Sequence, residues 1–313
     1  MGIKRLIRGG INCALSPILT AQRHQLEDLK LLHGKNLVHQ VKTNGVYGNI
    51  HDAEFKVFSQ FGDDGIIQYL VNGVDIPNKT FIEFGVGNYT ESNTRFLVLN
   101  DNWTGLVMDG SEKNIKYIKQ DAIHWRHDLT AVCAFVDREN INQLFRNNGF
   151  AGEIGLLSID IDGNDYWIWD AIEVVDPATV IVEYNSHFGC RHAVTVPYDA
   201  QFDRAITHFS YQFWGASLKA LYLLAERKGY QFVGCCSGGN NAYFVKKGRL
   251  GVVKPLTVEE GYVESKFRDS RDRQGKLSFL SGADRLKVIA EMPVYHVELD
   301  RIVQIQELDE VKF

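Results

Sequence analysis

From residue 80 onward, short apolar runs alternate with amphipathic stretches, and this rhythm restricts the chain to few architectures. The apolar runs are "TFIEFGV" (80–86), "TGLVMDG" (104–110), "AVCAFVD" (131–137), "EIGLLSIDID" (153–162), "ATVIVEYN" (178–185), "YQFVGCC" (230–236) and "NAYFVKK" (241–247). Between most of them lie helical segments, 90–100, 111–120, 139–148, 165–173 and 215–229. Strands that alternate with helices build a mainly parallel sheet covered on both faces. The last two runs are separated only by "SGGN". That short glycine-rich connection predicts a hairpin, so the expected α/β fold has seven strands and ends in an antiparallel pair.

The chain has 313 residues, 45% of them hydrophobic, enough for one large domain or two small ones. Its formal net charge of −5 lacks the basic footprint of a nucleic-acid binder, and no nucleic-acid partner is expected. No apolar run reaches the ~18–20 residues of a membrane-spanning helix. The opening "MGIKRLIRGGINCALSPILTAQ" is basic, then mixed, and is broken by Asn12 and Pro17. It reads as a leading helix or as a helix in peripheral contact with a membrane surface, not as a signal peptide. Residues 18–34 continue helical, with Ile18, Leu19, Leu26, Leu29 and Leu32 at three- and four-residue spacing. Five cysteines show no zinc spacing, which fits reduced thiols in the cytoplasm. The expected division is a helical extension over 1–53, a ligand-binding domain over 54–250 and a C-terminal extension over 251–313. A homo-oligomer is compatible with all of this.

"FIEFGVGNYTESNT" (81–94) runs from a strand through glycines into a helix. Gly85 and Gly87 let the backbone turn sharply and approach a ligand, at the place where doubly wound sheets hold nucleotide-like molecules. Glu83 sits just before the turn, suited to a cationic ligand or to loop amides. Asp109 ends the second strand, where an acid can accept both ribose hydroxyls of an adenosine ligand. Asp137 ends the third and reads either as a contact to the adenine amine or as a helix N-cap.

At this point the chain resembles the S-adenosylmethionine-dependent methyltransferases of class I, particularly the FkbM-like group. The resemblance rests on "SQFGDDGII" (59–67), "FIEFGVGNYTESNT", "GLVMDGSEKNI" (105–115), "LLSIDIDGNDYWIW" (156–169) and "VIVEYNSHFG" (180–189), and it covers roughly residues 55–250. It implies a Rossmann-like methyltransferase fold, with S-adenosylmethionine as cofactor and a sugar or other small hydroxyl compound as acceptor, in glycan or secondary-metabolite biosynthesis. It places Glu83, Gly85 and Gly87 in the cofactor turn, with Asn93 and Gly110 beside it, and Asp109 on the ribose. The segment Gln60–Gly65 would cap the methionine end. Where the FkbM-like pattern reads D-x-E-G-x-E, this chain reads D-I-D-G-N-D, so the acids are kept but shortened. Two rival functions stand beside methyl transfer. One is a non-catalytic subunit of a glycan-assembly complex. The other is an NAD-dependent oxidoreductase, for which the third glycine of the fingerprint is missing, its slot being Thr90.

If "LLSIDID" is a strand throughout, Ser158, Asp160 and Asp162 share one face. Asp165 then opens the next helix, and Glu183 and Asn185 share a face of the neighbouring strand. Acids gathered at one point must be protonated, paired or bound to a cation. Asp160, Asp162, Asp165 and Glu183 therefore suit Mg²⁺ or Mn²⁺. The metal-free reading puts Asp160 near the cofactor, Asp162 on substrate hydroxyls and Asp165 at the helix cap. His187 is the candidate base for a reacting hydroxyl. For the acceptor, Asn185 and Tyr198 lie in or near the presumed lid, and Arg268 and Arg271 suit a phosphate or carboxylate.

Overall fold

The computed structural model describes residues 2–46 and 49–310, with side chains described for 21, 22, 25–46 and 49–308. Its centre is a seven-stranded sheet made of β1 (Thr80–Phe84), β2 (Thr104–Asp109), β3 (Leu129–Cys133), β4 (Gly152–Ile159), β5 (Val175–Glu183), β7 (Tyr230–Cys235) and β8 (Asn241–Lys246). The order across the sheet is β3-β2-β1-β4-β5-β8-β7. The first five strands are mutually parallel, and β8 lies antiparallel between β5 and β7. The protein thus has the Rossmann-like α/β fold of class I methyltransferases, with the antiparallel hairpin at one edge.

Strand alternation divides the core into two layers. Ile82, Phe84, Leu157, Ile159, Val180 and Val182 face one side. They pack under α6 (Ile141–Asn147), α7 (Asp165–Ala171) and α9 (Leu218–Lys228). Phe81, Val107, Leu156, Ile181 and Val245 face the other. They lie under α2 (Asp63–Gly73), α3 (Arg95–Asp101), α4 (Glu112–Gln120) and α5 (Ala122–Arg126); α8 (Arg204–Thr207) precedes α9. Helix α9 begins where the Ser217 hydroxyl accepts the Ala220 amide and stops at Gly229, whose φ of 84° makes a left-handed cap.

The first helix, α1 (Gly2–Asn44), is longer than the 18–34 expected from its leucines. Val38 packs on Val57, Phe58 and Phe96, whereas Leu26, Leu29 and Leu32 face solvent. The expected stripe is therefore not the packing face. The side chains of Ile18, Leu19 and the basic N-terminal stretch lie outside the described residues. Among the described residues no helix is long and apolar enough to cross a membrane.

Two strand ends differ from expectation in ways that matter for the site. β4 stops at Ile159, so Asp160 and Asp162 lie on the loop beyond it. Asp162 takes a φ of 56°, outside strand geometry. β3 spans 129–133, which leaves Asp137 in a loop where it and Asn140 exchange hydrogen bonds. Asn140, not Asp137, is the N-cap of α6. A second sheet, unforeseen, joins β6 (Val194–Thr195) to β9 (Pro293–His296) and β10 (Arg301–Gln304), all antiparallel.

Candidate functional site

The glycine turn after β1 is held from beneath. Glu83 is buried and accepts the amides of Asn93 at 2.9 Å and Thr94 at 3.1 Å, together with the Thr94 hydroxyl. Burial pushes its carboxyl up to about 7 against those hydrogen bonds. The loop amides weighed as partners for Glu83 are present. Gly85, at φ 79°, lies so close to the crossing chain that a Cβ there would sit 1.5 Å from the carbonyl oxygen of Asp160. Gly87, at φ 55°, has open space on its Cβ side.

Asp109 fastens the far side of the turn. It accepts the Gly87 amide at 2.9 Å, the Ser111 amide at 2.8 Å and the Asn114 side chain at 2.9 Å. A carboxylate has about four acceptor positions, so roughly one remains for a ligand. Gly110 follows it, exposed at the start of the loop.

Between the turn and the end of β4 lies a cavity of about 210 Å³. Gln60, Glu83, Gly85, Gly87, Asn93 and Asp160 line it, and all six were expected at a cofactor site. Gly65 does not line it. That glycine sits in the first turn of α2, where a Cβ would meet the Ala53 carbonyl at 1.9 Å, so its role is close packing. Neither Asp109 nor Asp137 lines the cavity. Asn241, which the sequence did not single out, does, and among the described residues its Oδ1 has no hydrogen-bond partner. Its amide nitrogen is held by Asp63 at 2.9 Å.

The acids converge, but not as a straight strand would place them. Ile159 of β4 pairs with Val182 of β5, so Asp160 and Glu183 follow side by side at the carboxyl ends. The left-handed turn at Asp162 keeps its carboxylate close as well. One carboxylate oxygen from each of Asp160, Asp162 and Glu183 lies within 4.8 Å of the others. Asp165 is not part of this group. Its carboxylate caps its own loop, taking the amides of Ile161 at 2.9 Å and Gly163 at 3.0 Å, and burial raises it to about 6.

Burial, then the mutual repulsion of the acids, holds both Asp160 and Glu183 well above the ordinary carboxylate range. Among the described residues, Glu183 Oε2 has no hydrogen-bond partner. Arg204 supplies the neighbouring positive charge, donating to Asp162 at 2.8 Å and to Asp269 at 3.0 Å while its guanidinium lies over the Trp214 ring. Three hard oxygen donors at this spacing could also hold Mg²⁺ or Mn²⁺.

The remaining candidates scatter. His187 is partly buried, its Nδ1 has no partner among the described residues, and burial and then the charges of Arg285 and Arg204 push its imidazole down to about 3. Asn185 is engaged with backbone, donating to the Gln212 and Trp214 carbonyls of a later segment and accepting the His187 amide of its own loop. Tyr198 lies against the β3–α6 loop, bonded to Glu139 under the Arg138 guanidinium. Arg268 is exposed over Phe279, whose carbonyl its Nε bonds. Arg271 lines a second cavity that also contains Asp162 and Arg204. Arg204 carried no signal in the sequence, because its partners stand 42 and 65 positions away.

No family model matches this chain, and no curated protein does either. Solved structures of similar fold include an S-adenosylmethionine-dependent methyltransferase from Clostridium acetobutylicum. It is 9% identical, with a TM-score of 0.39, over 59% of this chain and 91% of that one. The N-terminal domain of EvdMO1 with S-adenosylhomocysteine bound is 12% identical, TM-score 0.39, over 70% and 97% of the two chains. An O-methyltransferase from Bacillus cereus in complex with S-adenosylhomocysteine is 12% identical, TM-score 0.36, over 70% and 91%. Likenesses this distant concern the kind of fold alone.

Proposed function

We propose that the protein is an S-adenosylmethionine-dependent methyltransferase acting on a hydroxyl oxygen of a sugar or other small polyol, within glycan or secondary-metabolite synthesis. The observation that carries the reading is one of adjacency. Asp160 lines the cavity at the glycine turn, Asp162 lines the neighbouring cavity, and their carboxylate oxygens lie within 4.8 Å of each other and of Glu183. A donor and an acceptor seated in the two cavities would meet across these acids.

The residues fit the cofactor. The turn has open space beside Gly87, the orphan Asn241 Oδ1 can accept from an ammonium group, and Asp160 is an acid suited to lie near a cationic sulfur. When bound, S-adenosylmethionine supplies an electrophilic methyl group. In-line displacement then depends mainly on holding the acceptor oxygen in place. The proton of that hydroxyl goes to the Asp160–Glu183 pair, whose raised affinity makes it the better base. His187, held near 3, binds a proton too weakly at neutral pH for the role first expected of it.

The Mg²⁺ or Mn²⁺ reading keeps Asp160, Asp162 and Glu183 as ligands and drops Asp165. In this structure Arg204 already pairs with Asp162. Turnover is therefore expected to persist in a chelator; a requirement for added Mg²⁺ or Mn²⁺ would establish the cation instead. The cofactor assignment is tested by calorimetry with S-adenosylmethionine and S-adenosylhomocysteine. Absence of binding by both would end the methyltransferase reading.

A further inference from the structure

Beyond the acids lies the second cavity, about 440 Å³, with Asp162, Phe202, Arg204, Tyr211, Asp269 and Arg271 in its wall. Most of these residues come from segments that follow β6, so this wall is built largely outside the strands of the central sheet. Two of its residues, Asp162 at φ 56° and Tyr211 at φ 61°, hold left-handed backbone that non-glycine side chains rarely adopt. Such backbone persists where the surroundings enforce it, and it clusters at ligand sites.

The two arginines of the wall are in different states. Arg204 is committed to two carboxylates, Asp162 and Asp269. Arg271 lies half-buried 5.7 Å above the Tyr211 ring and donates to the Asp269 carbonyl at 2.9 Å; among the described residues it has no carboxylate partner. A guanidinium presented this way is suited to a carboxylate or phosphate on a ligand. The carboxylates of Asp162 and Asp269 accept hydroxyl protons, and Phe202 and Tyr211 offer apolar ring surface.

We infer that this cavity is the acceptor site and that the acceptor is a sugar-like polyol bearing one anionic group, with the anion at Arg271 and hydroxyls at Asp162 and Asp269. The inference rests on the methyl-transfer reading for the word acceptor, but its binding chemistry stands on the cavity alone.

The test is calorimetric titration of the full-length protein with glucuronate, glucose 6-phosphate, glucose and inorganic phosphate, each with and without saturating S-adenosylhomocysteine. The expected result is that at least one anionic sugar binds about tenfold or more tightly than glucose and than inorganic phosphate, a difference of about 1.4 kcal/mol. Which of the two wins distinguishes a carboxylate from a phosphate. Arg271→Gln should erase the preference with S-adenosylhomocysteine affinity unchanged, and Arg271→Lys should restore part of it. Equal affinity for glucose, equal affinity for inorganic phosphate, a preference that survives in Arg271→Gln, or no sugar binding would each overturn the inference. Sugar binding without any S-adenosylhomocysteine binding would instead remove the methyl-transfer reading and leave the anionic-polyol site standing.

Discussion

Gly85 and Gly87 are two residues apart, share positive φ, and do different things. At Gly85 the crossing Asp160 carbonyl occupies the space a Cβ would need, so alanine must move backbone. Gly85→Ala is expected to lose more than about 3 kcal/mol by strain and overpacking together. Gly87→Ala meets open space and should lose only about 1 kcal/mol from its φ. Urea unfolding of the pair checks this; equal losses would contradict the geometry. Glu183 makes a second prediction, through pH. Its folded carboxyl binds its proton more tightly than an unfolded glutamate, whose pKa is about 4.3. The folded state therefore holds more protons in this window. The resulting stability is complete below about pH 4.3 and is lost as pH rises toward the raised folded value. Glu183→Gln removes that loss, so its melting temperature should gain on the wild type from pH 5 to pH 8. Its methyl-transfer rate should fall about 100-fold with the base gone. A melting-temperature difference that does not change with pH would count against a buried, proton-holding Glu183.

The loop before α2 is organised by that helix's own first turn. Asp64 Oδ2 accepts the amides of Val57, Phe58 and Ser59 at 2.7, 2.7 and 2.8 Å and the Ser59 hydroxyl at 2.8 Å. Asp64→Ala leaves these buried donors unmatched and is expected to destabilise by about 3 kcal/mol or more. Hydrogen exchange at 57–59 should accelerate before that of β1, and uniform acceleration would argue against a locally held loop. Elements like this explain what could and could not be read from the chain. The strands of the central sheet were legible because each is a short apolar run bounded by turn residues. Their ends were not, because tertiary contacts set them. β4 stops where Asp165 gathers the Ile161 and Gly163 amides and the Asp160 carbonyl packs on Gly85. The side-by-side placement of Asp160 and Glu183 was legible from neighbouring strands. Arg204 and the second cavity were not, since they depend on loops with no periodicity. The two-residue β6 gave no pattern at all.

At the scale of the whole molecule, described residues beyond β8 cover an apolar surface of the rest of the chain. β9 pairs with β6, which lies inside the 54–250 span. Ile289, Val294, Val303, Ile305 and Leu308 bury Phe188, Val194, Val196 and Phe213 in one apolar cluster. Arg285, nearly inaccessible, ties the tail to itself through the Ser265 carbonyl at 2.6 Å and Glu264 at 3.2 Å. Gly261 fits so closely against Phe232 of β7 that a Cβ there would sit 2.4 Å from the ring. Fully burying a large apolar side chain contributes about 1.5–3 kcal/mol. Losing the cover of four such residues removes as much as the entire net stability of an ordinary domain, about 5–15 kcal/mol. A chain ending at residue 250 should therefore fail to fold cooperatively, although every strand of the central sheet is still encoded in it. The measurement is a thermal melt followed by near-ultraviolet circular dichroism, with limited proteolysis alongside. Broad or absent melting and rapid cleavage near residues 188–213 are expected. A sharp melt at the full-length temperature would show that the tail is an independent appendage, and that the wall containing Asp269 and Arg271 is not integral to the fold.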